Sequence, residues 1–117
     1  MSDLEMLRDE MREFTRERGW EPFHDPKSLA LALMGEVGEL AELLQWLPAA
    51  DAAAMLRDEE SRHQRVAEEL SDVLIYLVRL ADVVGVDLGT AVFEKLAAAR
   101  ARFPAEAVYE VAPEKGV

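Results

Sequence analysis

The chain has 117 residues, half of them hydrophobic, with a formal net charge of −11 and no cysteine. That length fits one domain, and that hydrophobic content excludes a disordered acidic tail. The missing cysteines exclude a disulfide framework, a thiolate metal site and a thiol nucleophile, and the negative charge opposes a nucleic-acid backbone as the main ligand.

The strand signal is poor, so helices carry the reading. A first helix is expected over about Asp3 to Arg18, with Leu4, Leu7, Met11 and Phe14 on one stripe and Gly19 ending it. The loop Trp20-Glu21-Pro22-Phe23-His24-Asp25-Pro26 follows, stiffened by two prolines. A second helix is expected from Ser28, read as its N-cap, to Leu47, with Pro48 stopping it. Ala49 to Arg65 is less regular, with an extra helical turn over Ala52 to Leu56. A third helix runs from about Ser61 to Val84 and ends at Gly85, and a fourth runs from the cap Asp87 through Leu88 to Arg102, closed by Pro104. The reading is an all-α four-helix bundle over residues 1–104, with 105–117 as a C-terminal tail without a clear element. No run approaches the roughly 20 apolar residues of a membrane span, and the first residues lack the pattern of a signal peptide. The expectation is a soluble cytoplasmic protein with no membrane and no nucleic-acid partner.

Two helices carry carboxylates that a plain bundle does not need. In the second, Leu29, Leu33, Glu36, Leu40, Leu43 and Leu47 share a stripe in which every other member is leucine. An ionised group there is costly unless it is paired or binds a metal. Glu39 lies three residues on, and Gly35 and Gly38 flank the pair, which points to close approach of a backbone or a ligand. In the third helix Val66, Leu70, Val73, Leu77, Leu80 and Val84 form an apolar stripe, with Glu69, Asp72 and Tyr76 beside it. Antiparallel packing would set Glu36 and Glu39 against Glu69 and Asp72. Four such carboxylates need a cation among them, and oxygen ligands without His or Cys select Mg²⁺ or Mn²⁺. The bland alternative, that these acids merely solvate helix faces, suits Glu42, Glu59, Glu60 and Glu68 better. A di-iron centre would require an inward Glu-x-x-His on each of two helices, and Glu60-Ser61-Arg62-His63 is the one candidate, in a polar run. Trp46, two turns after Glu39, and Tyr76, one turn after Asp72, adjoin the acidic stripes, and Trp20, Phe23 and His24 lie just ahead of the second helix. Rings so placed are often core, but they also suit a base stacked beside its phosphates.

At three stretches the sequence resembles the MazG-like all-α nucleoside triphosphate pyrophosphohydrolases, and most of all their deoxycytidine triphosphate pyrophosphatase branch. They are Gly35-Glu36-Val37-Gly38-Glu39-Leu40-Ala41-Glu42-Leu43 with Gln45-Trp46, Glu68-Glu69-Leu70-Ser71-Asp72-Val73-Leu74-Ile75-Tyr76, and the loop from Trp20 to Pro26. The likeness extends over nearly all of residues 3 to 104. It implies that Glu36, Glu39, Glu69 and Asp72 bind magnesium. It also implies that Trp20, Trp46 and Tyr76 line the base and sugar pocket, and that Lys95 reaches the phosphates. The implied reaction cuts between the α and β phosphates of a nucleoside triphosphate, dCTP or a modified dCTP first, leaving monophosphate and pyrophosphate. A carboxylate, Glu39 first and then Glu36 or Glu69, would take the proton of the attacking water, and His24 is a further substrate contact. The implied assembly is a homodimer or a homotetramer made of two dimers, which would also cover the wide apolar arc of the third helix. The chain departs from the family pattern at Met11, Ala99 and Phe103, where relatives have His, Asn and Tyr. The phosphate-contact set and the preference for cytosine therefore do not follow from the resemblance. The alternative is a non-catalytic nucleotide-binding or helical interaction module, which would tolerate Glu39→Ala.

Overall fold

The chain begins with a capping box: the Ser2 hydroxyl accepts from the Glu5 amide at 3.2 Å, and the Glu5 carboxylate accepts from the Ser2 amide at 2.9 Å. Two of the orphan amides of α1 (Asp3–Glu17) are thereby satisfied. Gly19 terminates it with φ +64°, a left-handed conformation that costs a residue with a β-carbon more than glycine. In the computed structural model, which describes residues 1–113, the helices that follow are α2 (Pro26–Leu44), α3 (Ala52–Asp58), α4 (Glu60–Val83), α5 (Leu88–Arg102) and α6 (Ala105–Val108). A 3-10 turn over Glu21–Phe23 precedes α2, and there is no strand among the described residues. The all-α class expected from the sequence is the one observed.

Four local expectations are corrected. The N-cap of α2 is Asp25, not Ser28: its carboxylate accepts from the Ser28 amide at 2.9 Å and the Ser28 hydroxyl at 2.7 Å, while Pro26 occupies the first turn, where its missing N–H is no loss. The Ser28 hydroxyl and amide hold the Asp25 carboxyl below its ordinary range. At the other end α2 stops at Leu44 rather than Leu47, because the residue before Pro48 is disfavoured in the helical region and the chain turns over residues 45–47. The extra turn expected over Ala52 to Leu56 is a helix of seven residues, and the tail contains the short α6.

The helix α4 is the hub. Its most extensive packing is against α2, and it also contacts α1 and α3, while the main partner of α5 is α1. The core among the described residues is small: Leu29, Val78, Ala81 and Ala99 are the buried apolar side chains. The expected apolar stripe of α4 is therefore only partly covered, with Leu70 at 52%, Leu74 at 42% and Leu77 at 38% exposure. The radius of gyration is 17.3 Å, against about 13 Å for a compact domain of this length. The protomer is open, with its leucine seam on the outside.

An ion cluster that runs from the exposed Arg12 to the buried Arg79 ties α1 to α4. Arg12 donates through Nε (2.8 Å) and Nη2 (2.6 Å) to the two oxygens of Asp82, and Asp82 also accepts from Arg79 at 3.3 Å. The Arg12 guanidinium, with help from Arg79, holds the Asp82 carboxyl below its usual range against the opposing effect of burial. Its stabilisation is thus full above about pH 4, the ordinary carboxylate value, and is lost as pH falls through the lower folded value. Asp82→Ala, which takes one of its two acceptors from the buried Arg79 and leaves the exposed Arg12 to solvent, is expected to cost about 2 kcal/mol in urea unfolding at neutral pH. The loss should shrink in acid, and a cost that did not change with pH would contradict this account.

Candidate metal centre and its surroundings

The carboxylates of α2 and α4 are brought together by helix spacing on both sides. Glu36 and Glu39 are neighbours at i,i+3 on α2, and so are Glu69 and Asp72 on α4. The pairing runs antiparallel: Glu36 meets Asp72, Glu39 meets Glu69, and Leu43 lies by Arg65 further along. Glu36, Glu69 and Asp72 each offer an oxygen within 4.8 Å of the others', and Glu39 lies against Glu36 and Glu69 from the exposed side. Three of the four expected carboxylates thus meet at ligand distance, and Glu39 adjoins them.

Burial and mutual repulsion dominate the electrostatics of these carboxylates. Glu36 Oε2 and Glu69 Oε2 are buried without a hydrogen-bond partner. Burial, then the charges of Glu39, Asp72 and Glu69, raise the Glu36 carboxyl above its ordinary range. Burial, then Glu39 and Asp72, do the same to Glu69, with Arg65 acting weakly in the opposite direction. Buried carboxylate oxygens without donors are paired or bind metal in stable proteins. An all-oxygen donor set suits a hard divalent cation. The residues fit such an ion.

The expected substrate-contact residues are more scattered. Tyr76 is half-buried one turn beyond Asp72 on the same face of α4. The Trp20 ring packs edge-on against Phe14, centroids 5.8 Å apart, and its amide donates to the Thr15 carbonyl at 3.0 Å, which folds the loop back on α1. His24 is half-buried and accepts at Nδ1 from Arg79 Nε at 2.9 Å. Trp46 does not continue the face of Glu39, because α2 has already ended; it is 84% exposed. Lys95 is exposed on α5, whose main packing is against α1 and not against the pair that holds the carboxylates. Gly35 and Gly38 face open space, since a β-carbon at either would meet nothing within 4 Å. No backbone of this protomer approaches them. Met11 and Phe103 are half-buried and Ala99 is buried. The sequence reading missed Arg79, whose one signal is that it extends the spacing Glu69, Asp72, Tyr76 by three more residues.

An all-helical protomer with an acidic cluster between two antiparallel helices defines the class, and similarity to known proteins defines the family. Residues 33–114 match the MazG-like family, and the chain belongs to it. The proteins named dCTP pyrophosphatase 1 of Rattus norvegicus and Bos taurus are each 50% identical over 101 residues, and that of Homo sapiens is 50% identical over 102. These alignments cover 86–87% of this chain and 59% of the relatives, so the chain spans well under two thirds of their length. A pyrophosphatase of known structure from Archaeoglobus fulgidus DSM 4304 superposes with a TM-score of 0.79 at 38% identity, covering 89% of this chain and 94% of that one.

The raised carboxyls give a test without substrate. In the metal-free protein their contribution to stability is full below about pH 4.3 and is lost as pH rises through their folded values. A divalent cation binding the ionised forms should restore it. Mg²⁺ is therefore expected to raise the melting temperature at neutral pH far more than near pH 4. Glu36→Gln should raise the metal-free melting temperature at neutral pH and abolish the Mg²⁺ response. Equal Mg²⁺ shifts at both pH values would contradict the assignment.

Proposed function

We propose that this chain is a divalent-cation-dependent nucleoside triphosphate pyrophosphohydrolase. It releases pyrophosphate and the monophosphate from dCTP or a modified dCTP, in the service of nucleotide-pool sanitation. The observation that carries the proposal is the pair of buried, unpartnered oxygens, Glu36 Oε2 and Glu69 Oε2, within a four-carboxylate cluster. The kinship with proteins named for dCTP and pyrophosphate cleavage supports it. A binding-only module is the weaker reading, because a structural bundle would be more stable with leucine at position 36.

Glu36, Glu39, Glu69 and Asp72 would hold Mg²⁺ or Mn²⁺, which when bound supplies positive charge against the triphosphate and acidity for the attacking water. Glu39, the exposed member of the set, accepts the water's proton as the oxygen approaches the α-phosphorus, with Glu36 and Glu69 as the alternatives on the same cluster. Ser71, beside Asp72 in the sequence, is exposed and gives its hydroxyl to the Ala67 carbonyl at 2.7 Å, so direct attack by water is preferred to a covalent nucleophile. Tyr76 and Trp20 flank the base and sugar, and His24 offers a hydrogen bond beside them. Residues 1–104 make up the catalytic unit, with 105–117 as an appendage.

The remaining contacts come from assembly. Leu70, Leu74 and Leu77 recur at the spacing of a helix-packing seam, and a symmetric partner would cover them. The same association would bring the exposed Trp46 and Lys95 of one subunit to the pocket of another, with Lys95, helped by Arg100 or Arg102, offsetting charge on the departing pyrophosphate. A homodimer, or a tetramer of two dimers, is the expected state. Light scattering at micromolar concentration should report at least twice the monomer mass, and a monomer that still turns over substrate would refute the shared site.

The activity is tested by pyrophosphate release from a panel of canonical and modified nucleoside triphosphates, with Mg²⁺ and with EDTA, run in ¹⁸O-water. Mg²⁺-dependent release with the label in the monophosphate is expected, dCTP or a modified dCTP leading the ranking. Asp72→Ala should lower turnover by at least about a hundredfold while leaving the helical content intact. Label in the pyrophosphate, release of orthophosphate, or near-full activity of Asp72→Ala would refute the mechanism.

A further inference from the structure

The functional stripe of α4 does not end at Tyr76. Arg79 lies three residues on, on the same face, and is 8% exposed. A guanidinium so buried must place its donors. Its Nε donates to His24 Nδ1 at 2.9 Å and its Nη1 to Asp82 at 3.3 Å, and Asp82 is gripped in turn by Arg12. One chain of polar contacts thus joins α1, α4 and the loop that carries Trp20 and His24.

This chain has a chemical consequence for the histidine. An arginine Nε always carries hydrogen and cannot accept, so His24 Nδ1 must be the acceptor. The ring is then neutral, with its proton on Nε2. Burial, followed by the Arg79 charge, keeps His24 below its ordinary value, in agreement with the geometry. The loop has little freedom to offer the other nitrogen. It is fixed at one end by the Trp20 amide on Thr15 and at the other by the Asp25 cap. The second histidine, His63, has the opposite arrangement: its Nδ1 lies 3.2 Å from the Leu56 carbonyl, which can only accept, so there Nδ1 bears the hydrogen.

Distance along the helices places this device relative to the carboxylates. Arg79 is two turns, about 10 Å, beyond Asp72 along α4, with Tyr76 between them. The antiparallel α2 starts beside Arg79 and runs back to Glu36. A nucleotide with its α-phosphate at the carboxylates and its base toward the loop would lie along that face.

We propose that Arg79 is a positioning residue for substrate selection: by accepting no proton and donating to Nδ1, it locks His24 as the Nε2–H tautomer. His24 then offers a donor at Nε2, and no acceptor, to a nucleoside lying beside the loop. The group recognised there is a hydrogen-bond acceptor, a carbonyl or unprotonated ring nitrogen of the base, and an amino group is refused at that position. The proposal rests on the pyrophosphohydrolase reading for its substrate, but not for the tautomer itself.

The test uses ¹⁵N-histidine-labelled full-length protein, whose two histidines give one probe and one internal control. In the wild type His24 should show a protonated Nε2 and a bare Nδ1, with His63 reversed. Arg79→Met should mix the tautomers of His24 and leave His63 unchanged. It should also raise KM for dCTP, and weaken dCMP binding in Mg²⁺, by about tenfold, with kcat within about threefold of wild type. Arg79→Lys, which retains a cationic donor beside Nδ1, should recover most of both effects, and it carries the test if the methionine variant does not fold. A wild-type His24 protonated on Nδ1 would overturn the inference, as would variants that lose kcat with no change in KM or tautomer. If the tautomer is as stated but neither dCTP nor dCMP engages the wild type, the pyrophosphohydrolase reading falls instead, and the selection role with it.

Discussion

Everything else in this protein is arranged around one electrostatic constraint: like charges between two packed helices repel unless a cation joins them. Glu36 and Glu69 each bury an oxygen without a hydrogen-bond partner, and both carboxyls are pushed toward their protonated forms by burial and then by neighbouring carboxylates, Glu39 first. Replacing Glu36 with leucine would complete the apolar stripe of α2 and remove the penalty. Under the proposed function, that penalty is offset when a hard cation enters among the carboxylates. The proposed chemistry uses the same feature, because a triphosphate cannot approach these carboxylates unless a bound ion supplies positive charge among them.

The helix α4 serves this site by presenting a different surface to each neighbour. One stripe carries Glu69, Asp72, Tyr76 and Arg79 toward α2 and the loop before it. Val78 and Ala81 are buried within the protomer, and Asp82 binds Arg12 of α1. A third stripe, Leu70, Leu74 and Leu77, faces outward. That leucine seam, the small core and the large radius of gyration are what the proposed assembly would account for, since a second copy would cover the seam. Under the proposed assembly, the exposed Trp46 and Lys95 are parts of a site that a second copy finishes.

The carboxylate cluster was legible in the sequence because it broke a strong local rule. One glutamate among five leucines on a helical stripe is a conflict that needs a cause, and the matching pair on α4 supplied the partner. Helix existence and class were readable for the same reason, from periodicity and from caps such as Asp87 and Gly85. The position of Trp46 was not, because it depended on where α2 ends, and the constraint that Pro48 places on the residue before it stopped the helix three residues early. The cap at Asp25 was misassigned to Ser28 because two cap formers three residues apart competed and the proline between them decided the outcome. The Arg12–Asp82–Arg79–His24 chain was out of reach. Its members lie up to 70 positions apart, and no local pattern distinguishes a buried arginine from a solvated one.

The most direct test of the central claim is the binding of Mn²⁺ measured by electron paramagnetic resonance, at neutral pH and without nucleotide, which would chelate the ion itself. The wild type should bind Mn²⁺ saturably, and a folded Glu36→Gln/Asp72→Asn variant should not. Undiminished binding by that variant, or no binding by a folded wild type, would contradict the account.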